Sequence, residues 1–277
     1  MIPSAPIGGI AGWRFMQRTQ ESQQAAFVAS PALDREVTYF KENISKIESV
    51  EDLLNDFTLF KVALGAFGLE DNVADKFFFK KVLEEGTETD GAFALQLTDT
   101  HYRELSEAFG FGNAGGPRIG ESDFAQKITE AYEVRQFEKA VGDADDSMRL
   151  ALNLEREIGG YATGAFPETV GWFEVMANAP MREVFETAFG LPTSIGTLDI
   201  DRQRELFQDA NKRVFGSMSL DVFQDPENVD KLLRNFFAQE QINSGPGPLT
   251  KGMSALTLME NAVTAAARFA QFNLRDR

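Results

Sequence analysis

Apolar residues in this chain recur every three or four positions, and almost nowhere do they alternate. Between Val50 and Phe67 they fall at Val50, Leu53, Leu54, Phe57, Phe60, Val62, Leu64 and Phe67. That spacing lays one apolar stripe along a helix, or along a close helix pair. It does not fit the period of two that a half-buried strand needs. Good helix formers fill most other segments, and β-branched alternating runs are scarce. The chain is therefore expected to be all-α, a multi-helix bundle. The pattern predicts helices over about 12–29, 34–46, 50–67, 72–85, 91–109, 122–141, 144–158, 168–177, 180–189, 199–215, 227–240 and 254–272. Gly/Pro-rich breaks separate several of them: "GFGNAGGPRIG" at 110–120, "GGYATGAFP" at 159–167 and "NSGPGPLTKG" at 243–252.

Helix ends are written as clearly as helix faces. Ser49 with Asp52 three residues on reads as a capping box. Asp225-Pro226-Glu227 places an N-cap acid, a proline at the first helical position and an acid in the first turn. Leu232, Leu233, Phe236 and Phe237 then supply the buried face. A tetrapeptide marks the stops. Ala66-Phe67-Gly68-Leu69 returns unchanged at Ala188-Phe189-Gly190-Leu191, and Ala108-Phe109-Gly110-Phe111 is a near-copy. A glycine just past the last periodic residue takes the left-handed conformation of a C-cap, and the next apolar residue packs back on the helix. The repeated letters are read as helix stops with a hydrophobic lock rather than as a repeated site.

The repeat is longer than four letters. "SVEDLLNDFTLFKVALGAFGL" (49–69) lies over "GWFEVMANAPMREVFETAFGL" (171–191) without a gap. Lys81-Val82-Leu83 then roughly matches Arg213-Val214-Phe215 after a small shift. The expected architecture is a bundle of two diverged helical repeat units. Residues 1–33 form an N-terminal helical arm and 34–120 the first unit. Residues 121–250 hold a long helical connector and the second unit, and 251–277 a C-terminal helical tail.

Composition excludes several functions. The net charge is −16, which opposes binding to nucleic acid or to an anionic membrane surface. Residues 1–33 carry +1 and residues 251–277 carry +2, leaving −19 in the middle. Near-neutral ends on an acidic body suggest that the ends do a different job. No Cys is present, so disulfides, thiolate metal sites and cysteine nucleophiles are excluded. No apolar run is long enough to span a bilayer, and "MIPSAPIGGIAGWRF" lacks the features of a secretory signal. The 25 Phe, against 4 Tyr and 2 Trp, suggest a thick apolar core and surfaces that bury against something else.

The chemical motifs fail on inspection. Gly110-Phe111-Gly112-Asn113-Ala114-Gly115 spells G-x-G-x-x-G, but a helix precedes it and Gly116-Pro117 follow, where a dinucleotide site needs a strand before and a helix after. His101 is the only histidine. It has Asp99 nearby but no nucleophile motif, and it reads as a surface or capping residue. Asp143, Asp145 and Ser147 occupy calcium-loop spacing, yet Met148 and Leu154 stand where Gly and Glu are required. They read as the acidic start of the next helix. Glu155 and Glu157 are expected on a solvated helix face, with Arg149 and Arg156 as partners. No catalytic, cofactor-binding or metal-binding residues are assigned, and no cofactor is expected.

The last predicted helix carries a stripe at Leu256, Met259, Val263, Ala266 and Ala270, stepping by three and four. It follows a Gly/Pro linker and is the candidate protein interface. Trp13, Met16 and Phe27 form a thinner stripe near the other end. The two terminal helices are expected to pack together, on the body or on a partner.

Several stretches together resemble one family. They are "RTQESQQAAFVASPALDREVTYFKENI", "SVEDLLNDFTLFKVALGAFGL", "FEKAVGDADDSMRLALNLEREI", "MREVFETAFGLP", "LDIDRQRELF" and "DPENVDKLLRNF". The chain resembles the domain-of-unknown-function 1217 family of alphaproteobacterial proteins, some of which are found among flagellar genes. The resemblance covers nearly the whole chain and implies a flagellar structural or assembly-associated role. It brings no catalytic residues with it. The expected function is therefore a non-enzymatic protein–protein interaction protein. Its partners would be flagellar components or itself, with no nucleic acid and no membrane insertion. It would work in the cytoplasm or at the flagellum. The alternatives are a cytoplasmic chaperone or adaptor for flagellar components, and an enzyme with an unrecognised carboxylate site.

Overall fold

The computed structural model describes Pro3 and residues 7–243. Thirteen α-helices run through the described residues, with no strand among them. They are α1 (Gly9–Val28), α2 (Pro31–Asn43), α3 (Val50–Asn55), α4 (Phe57–Gly65), α5 (Lys76–Glu85), α6 (Phe93–Gln96) and α7 (Thr100–Phe109), followed by α8 (Phe124–Gly142), α9 (Asp146–Thr163), α10 (Val170–Ala177), α11 (Ala179–Phe189), α12 (Ile200–Phe215) and α13 (Pro226–Asn243). The all-α multi-helix reading holds. The predicted helix at 254–272 and its stripe lie outside the described residues.

The caps sit where the sequence places them. Ser49 and Asp52 form both halves of a capping box at α3. Asp225 accepts from the Glu227 N–H at the start of α13, with Pro226 at its first position. After α4, Gly68 has φ +73°, the Leu69 N–H reaches the Leu64 carbonyl at 2.9 Å and the Gly68 N–H reaches Gly65 at 3.2 Å. After α11 the same pair recurs: Leu191 to Glu186 at 2.8 Å and Gly190 to Thr187 at 3.0 Å, with φ +64° at Gly190. Both are Schellman endings. The third copy is simpler. Gly110 is left-handed and its N–H bonds Ser106 at 2.9 Å, the single-bond αL ending, while Phe111 stacks on Phe109.

Two predicted helices are broken and a third starts late. The 50–67 stripe is a helix pair, split at Asp56, whose carboxylate caps α4 through the Leu59 N–H at 3.0 Å. The 72–85 segment starts late, because a 3-10 turn at Glu70–Asn72 comes before α5. The 91–109 segment is α6 and α7, separated because Asp99 turns its side chain to cap α7. At Asp56 and Asp99 a short acid competes for backbone N–H groups inside an apolar stripe.

The break at Asp56 has a twin. Asn178 ends α10 and caps α11 through the Met181 N–H at 3.1 Å. The dihedrals agree: φ −91° and ψ 104° at Asp56, φ −91° and ψ 105° at Asn178. Under the gapless register of 49–69 over 171–191, Asp56 lies over Asn178, Leu59 over Met181 and Gly68 over Gly190. Packing follows the same order. Helix α2 packs on α4 as α9 packs on α11, α3 packs on α4 as α10 packs on α11, and α3 packs on α5 as α10 packs on α12.

Two hydrophobic clusters make the core. One gathers residues from Leu33 to Tyr132, including Phe40, Phe60, Phe79 and Phe109. The other takes Trp13 and Met16 from α1 and then residues from Phe137 to Phe237. The boundary falls inside α8, and the Phe27 ring of α1 packs against both. Helix α1 lies on α13 and α8, with Trp13 and Phe237 centroids 5.8 Å apart. Rings close the second cluster edge to face: Trp172 on Phe185 at 5.5 Å and Phe215 on Phe223 at 5.0 Å.

Candidate functional site: a polar cleft at the seam

Where the two clusters meet, the packing turns polar. A cleft of about 640 Å³ opens between the loop after α4, the start of α7, the second half of α8, the start of α9 and the α10–α11 kink. That volume suits a small molecule or a single side chain.

Arg135 and Glu138 of its lining belong to an ion network between α8 and α9. Arg156 holds Glu138 with two bonds, 2.8 Å to Oε1 and 3.0 Å to Oε2. It also pairs with Glu157, which Arg135 meets at 3.3 Å. The Arg135 Nε–H donates to the Ala66 carbonyl at 2.9 Å, so the α4 helix stop is tied to α8. Burial pulls the Arg135 pKa down, and the Arg156 charge adds to this. Burial acts on Arg156 in the same direction, but the Glu138 hydrogen bonds and charge outweigh it and raise its pKa. Glu157 is thus not on a solvated face, and Arg149 pairs with Asp146 at 2.7 Å instead. Glu155 is exposed and accepts from Gln17 at 3.0 Å.

His101 lies on the wall of this cleft. It is neither on the surface nor a cap: it is 8% exposed, in the first turn of α7. Asp99 accepts from its backbone N–H and from its ring Nδ1, both at 2.9 Å. Burial would raise the Asp99 pKa, but the His101 hydrogen bonds and charge outweigh burial and leave it below the ordinary value. The other ring nitrogen, Nε2, is buried and has no partner. Asn153 of α9 is 5% exposed, lines the same cleft, and its Oδ1 also has no partner.

The wall cations are all engaged. Arg135 holds Glu157, Arg149 holds Asp146, and Lys139 holds Glu70 at 2.8 Å and Asp71 at 3.0 Å. Of the two unpartnered atoms, Asn153 Oδ1 is an acceptor. Among the described residues no three His, Asp or Glu side chains are grouped to hold a metal ion.

The other sequence motifs resolve as structure. Gly110 to Gly115 form a loop after α7, where Gly112 approaches the backbone of Glu84 and Gly86 too closely for a side chain. Asp145 caps α9 through the Met148 N–H. The interface candidates Leu256, Met259, Val263, Ala266 and Ala270 lie outside the described residues. Sequence reasoning passed over Arg135, Glu138 and Asn153. Their one signal was polar residues on helices flanked by apolar positions, and a solvated face gives the same signal.

No helix of the described residues is long and apolar enough to cross a membrane. No functionally curated protein matches the sequence. A crystal structure of a protein from Agrobacterium tumefaciens, a structural-genomics target, is similar over 86% of this chain and 97% of its own. It has 27% identity and a TM-score of 0.69. Residues 66–229, from the first helix stop to the early turns of α13, match a family described as proteins of unknown function, DUF1217. With more than half of its length matched, the chain belongs to the DUF1217 family.

Proposed function

We propose that this protein acts without chemistry of its own, as a protein–protein interaction protein of flagellar structure or assembly. The observation that carries the reading is aromatic surface. Phe77 is 85% exposed, Phe57 63% and Phe166 61%, while the largest rings elsewhere fill the two clusters. Burying such a ring gains about 1.5–3 kcal/mol, so rings left outside are natural anchors for a partner. The flagellar setting comes from the family resemblance, and the net charge of −16 argues for protein rather than nucleic-acid partners. The stripe at Leu256 to Ala270 adds a second contact surface, for a flagellar component or another copy of the chain.

Motility tests this. Deleting the gene in its host should abolish or reduce spreading in soft agar, and the intact gene should restore it. A gene carrying Phe57→Ser, Phe77→Ser and Phe166→Ser together, or lacking residues 250–277, should not restore it. The triple variant should melt within a few degrees of the parent, because these rings contribute little to the core. Normal filaments and normal swimming after deletion would remove the reading. Recovery of the protein in purified filaments or basal bodies favours a structural subunit; its absence there favours a cytoplasmic adaptor.

A further inference from the structure

The two core clusters, with the helices around them, form two lobes on different faces of one helix. In α8, Phe124, Ile128 and Tyr132 enter the first cluster, and Phe137 and Val141 the second. A helix turns by about 100° per residue, so the longer step from Tyr132 to Phe137 swings the buried face round the helix. The helices that carry packing from one lobe to the other are α1 and α8. Helix α1 lies on α2, α8 and α13, and α8 on α2, α4 and α9. The Phe27 ring of α1 packs against both clusters and sits edge-on to Phe137 at 6.0 Å. The cleft is on another side of α8. Arg135, Glu138, Lys139 and Gly142 line it. Spaced by three and four, they share one face, turned away from Phe137 and Val141. The lobes therefore have an apolar back, where α1 meets α8, and a polar mouth, which is the cleft.

Polar ties hold the mouth. Arg135 is bonded to both lobes: its Nε–H donates to the Ala66 carbonyl at 2.9 Å, and its guanidinium meets Glu157 of α9 at 3.3 Å. Lys139 adds Glu70 and Asp71 of the first lobe, at 2.8 and 3.0 Å. Beyond these ties, the start of α7 and the α10–α11 kink stand on either side of an opening of about 640 Å³. Halves of a chain that meet through polar contacts move relative to one another unless a large apolar interface joins them. We propose that the two lobes rock about the α1–α8 back, opening and closing the cleft, with Arg135 as the latch. Opening widens the cleft without unpacking either cluster. Release of Arg135 leaves Glu157 paired with Arg156, so the latch opens without stranding that carboxylate. This device is separate from the exposed phenylalanines and does not depend on the flagellar reading.

The chain has no Cys, so two introduced ones are the only sites for spin labels. Gln96→Cys and Glu183→Cys put exposed labels on either side of the mouth, within a turn of the cleft-lining Thr98 and Pro180. Gln96→Cys with Glu42→Cys reports within the first lobe, and Glu183→Cys with Asp209→Cys within the second. Dipolar distances are measured in the full-length protein with and without Arg135→Met. Across the mouth, Arg135→Met should bring in a population longer by more than about 2 Å, while the pairs within each lobe keep their distances. An unchanged distribution across the mouth of a folded Arg135→Met protein would overturn the proposal. So would equal broadening of the pairs within the lobes, which would mean that the whole structure loosens. Should Arg135→Met not fold, Lys139→Met, at an exposed position, takes its place with the same expected result and the same overturning ones.

Discussion

At the residue scale the helix stops give a graded test. The three glycines share a left-handed backbone, so alanine at each costs about 1–2 kcal/mol from conformation alone. Their surroundings differ. A Cβ at Gly190 would have nothing nearer than the Gln239 amide at 4.0 Å. At Gly68 it would lie 3.1 Å from the Arg135 guanidinium, the group that ties α4 to α8. At Gly110 it would lie 2.9 Å from the Gly116 carbonyl, which is backbone and cannot step aside. Urea denaturation should therefore rank the losses Gly190→Ala, then Gly68→Ala, then Gly110→Ala as the largest. Equal losses would mean that only the backbone conformation matters. These stops were legible in the sequence because a C-cap is a local device: one glycine and one apolar neighbour specify it. His101 was not. Its burial depends on where α8 and α9 lie, and no neighbouring letter reports that.

At the element scale the twin kinks at Asp56 and Asn178 do the same work in different surroundings. Each caps a helix with one side-chain oxygen, and loss of a cap costs about 1 kcal/mol. Asp56 is partly exposed and also accepts from the Tyr39 hydroxyl. Asn178 is 1% exposed and donates to the Tyr161 hydroxyl at 3.2 Å. Exchange between the two should therefore be asymmetric. Asp56→Asn keeps the capping oxygen in partly wetted surroundings and should change stability by less than about 0.5 kcal/mol. Asn178→Asp places a charge in the core and turns the donor to Tyr161 into an acceptor, so it should cost about 2 kcal/mol or more. Thermal melts of both variants check this, and a tolerated Asn178→Asp would contradict the buried, donating role. The helix pattern made these elements readable but not their breaks. The stripe from Val50 to Phe67 is continuous in three-and-four spacing, and Asp56 reads as one polar position on it. Only the bond to Leu59 shows that the acid has left the helix to cap the next one.

At the scale of the whole molecule, an acidic body with two classes of carboxylate should be most stable on the acid side of neutrality. In the first class partial burial raises the folded pKa above the ordinary 4.5: Glu133 and Glu174. A carboxyl with a raised folded pKa binds its proton more tightly in the folded state. Its contribution to stability is full below the unfolded value and is lost as pH rises through the folded one. Their ionised forms carry a desolvation penalty. In the second class, partners lower the folded pKa: Glu51, by Lys80; Asp52, by Ser49; Asp123, by Lys127; and Asp99, where His101 overcomes burial. Their stabilisation is present above the ordinary values of 3.8 for Asp and 4.5 for Glu, and is lost as pH falls through the folded ones. Self-repulsion from a net charge of −16 adds to the first class, since it also weakens as carboxylates take up protons. Acidification from pH 7 should therefore raise the melting temperature as the first class takes up protons. At lower pH the second class should reverse the trend. Both tryptophans, Trp13 and Trp172, are fully buried in the second cluster, so their fluorescence follows that half of the molecule through the transition. A melting temperature that falls steadily from pH 7 downward would show that the lowered carboxylates outweigh the buried ones throughout. Replacing Glu133 and Glu174 together with Gln should then change nothing, whereas if burial of these two carboxylates matters it should raise stability at pH 7 and flatten the rise on acidification.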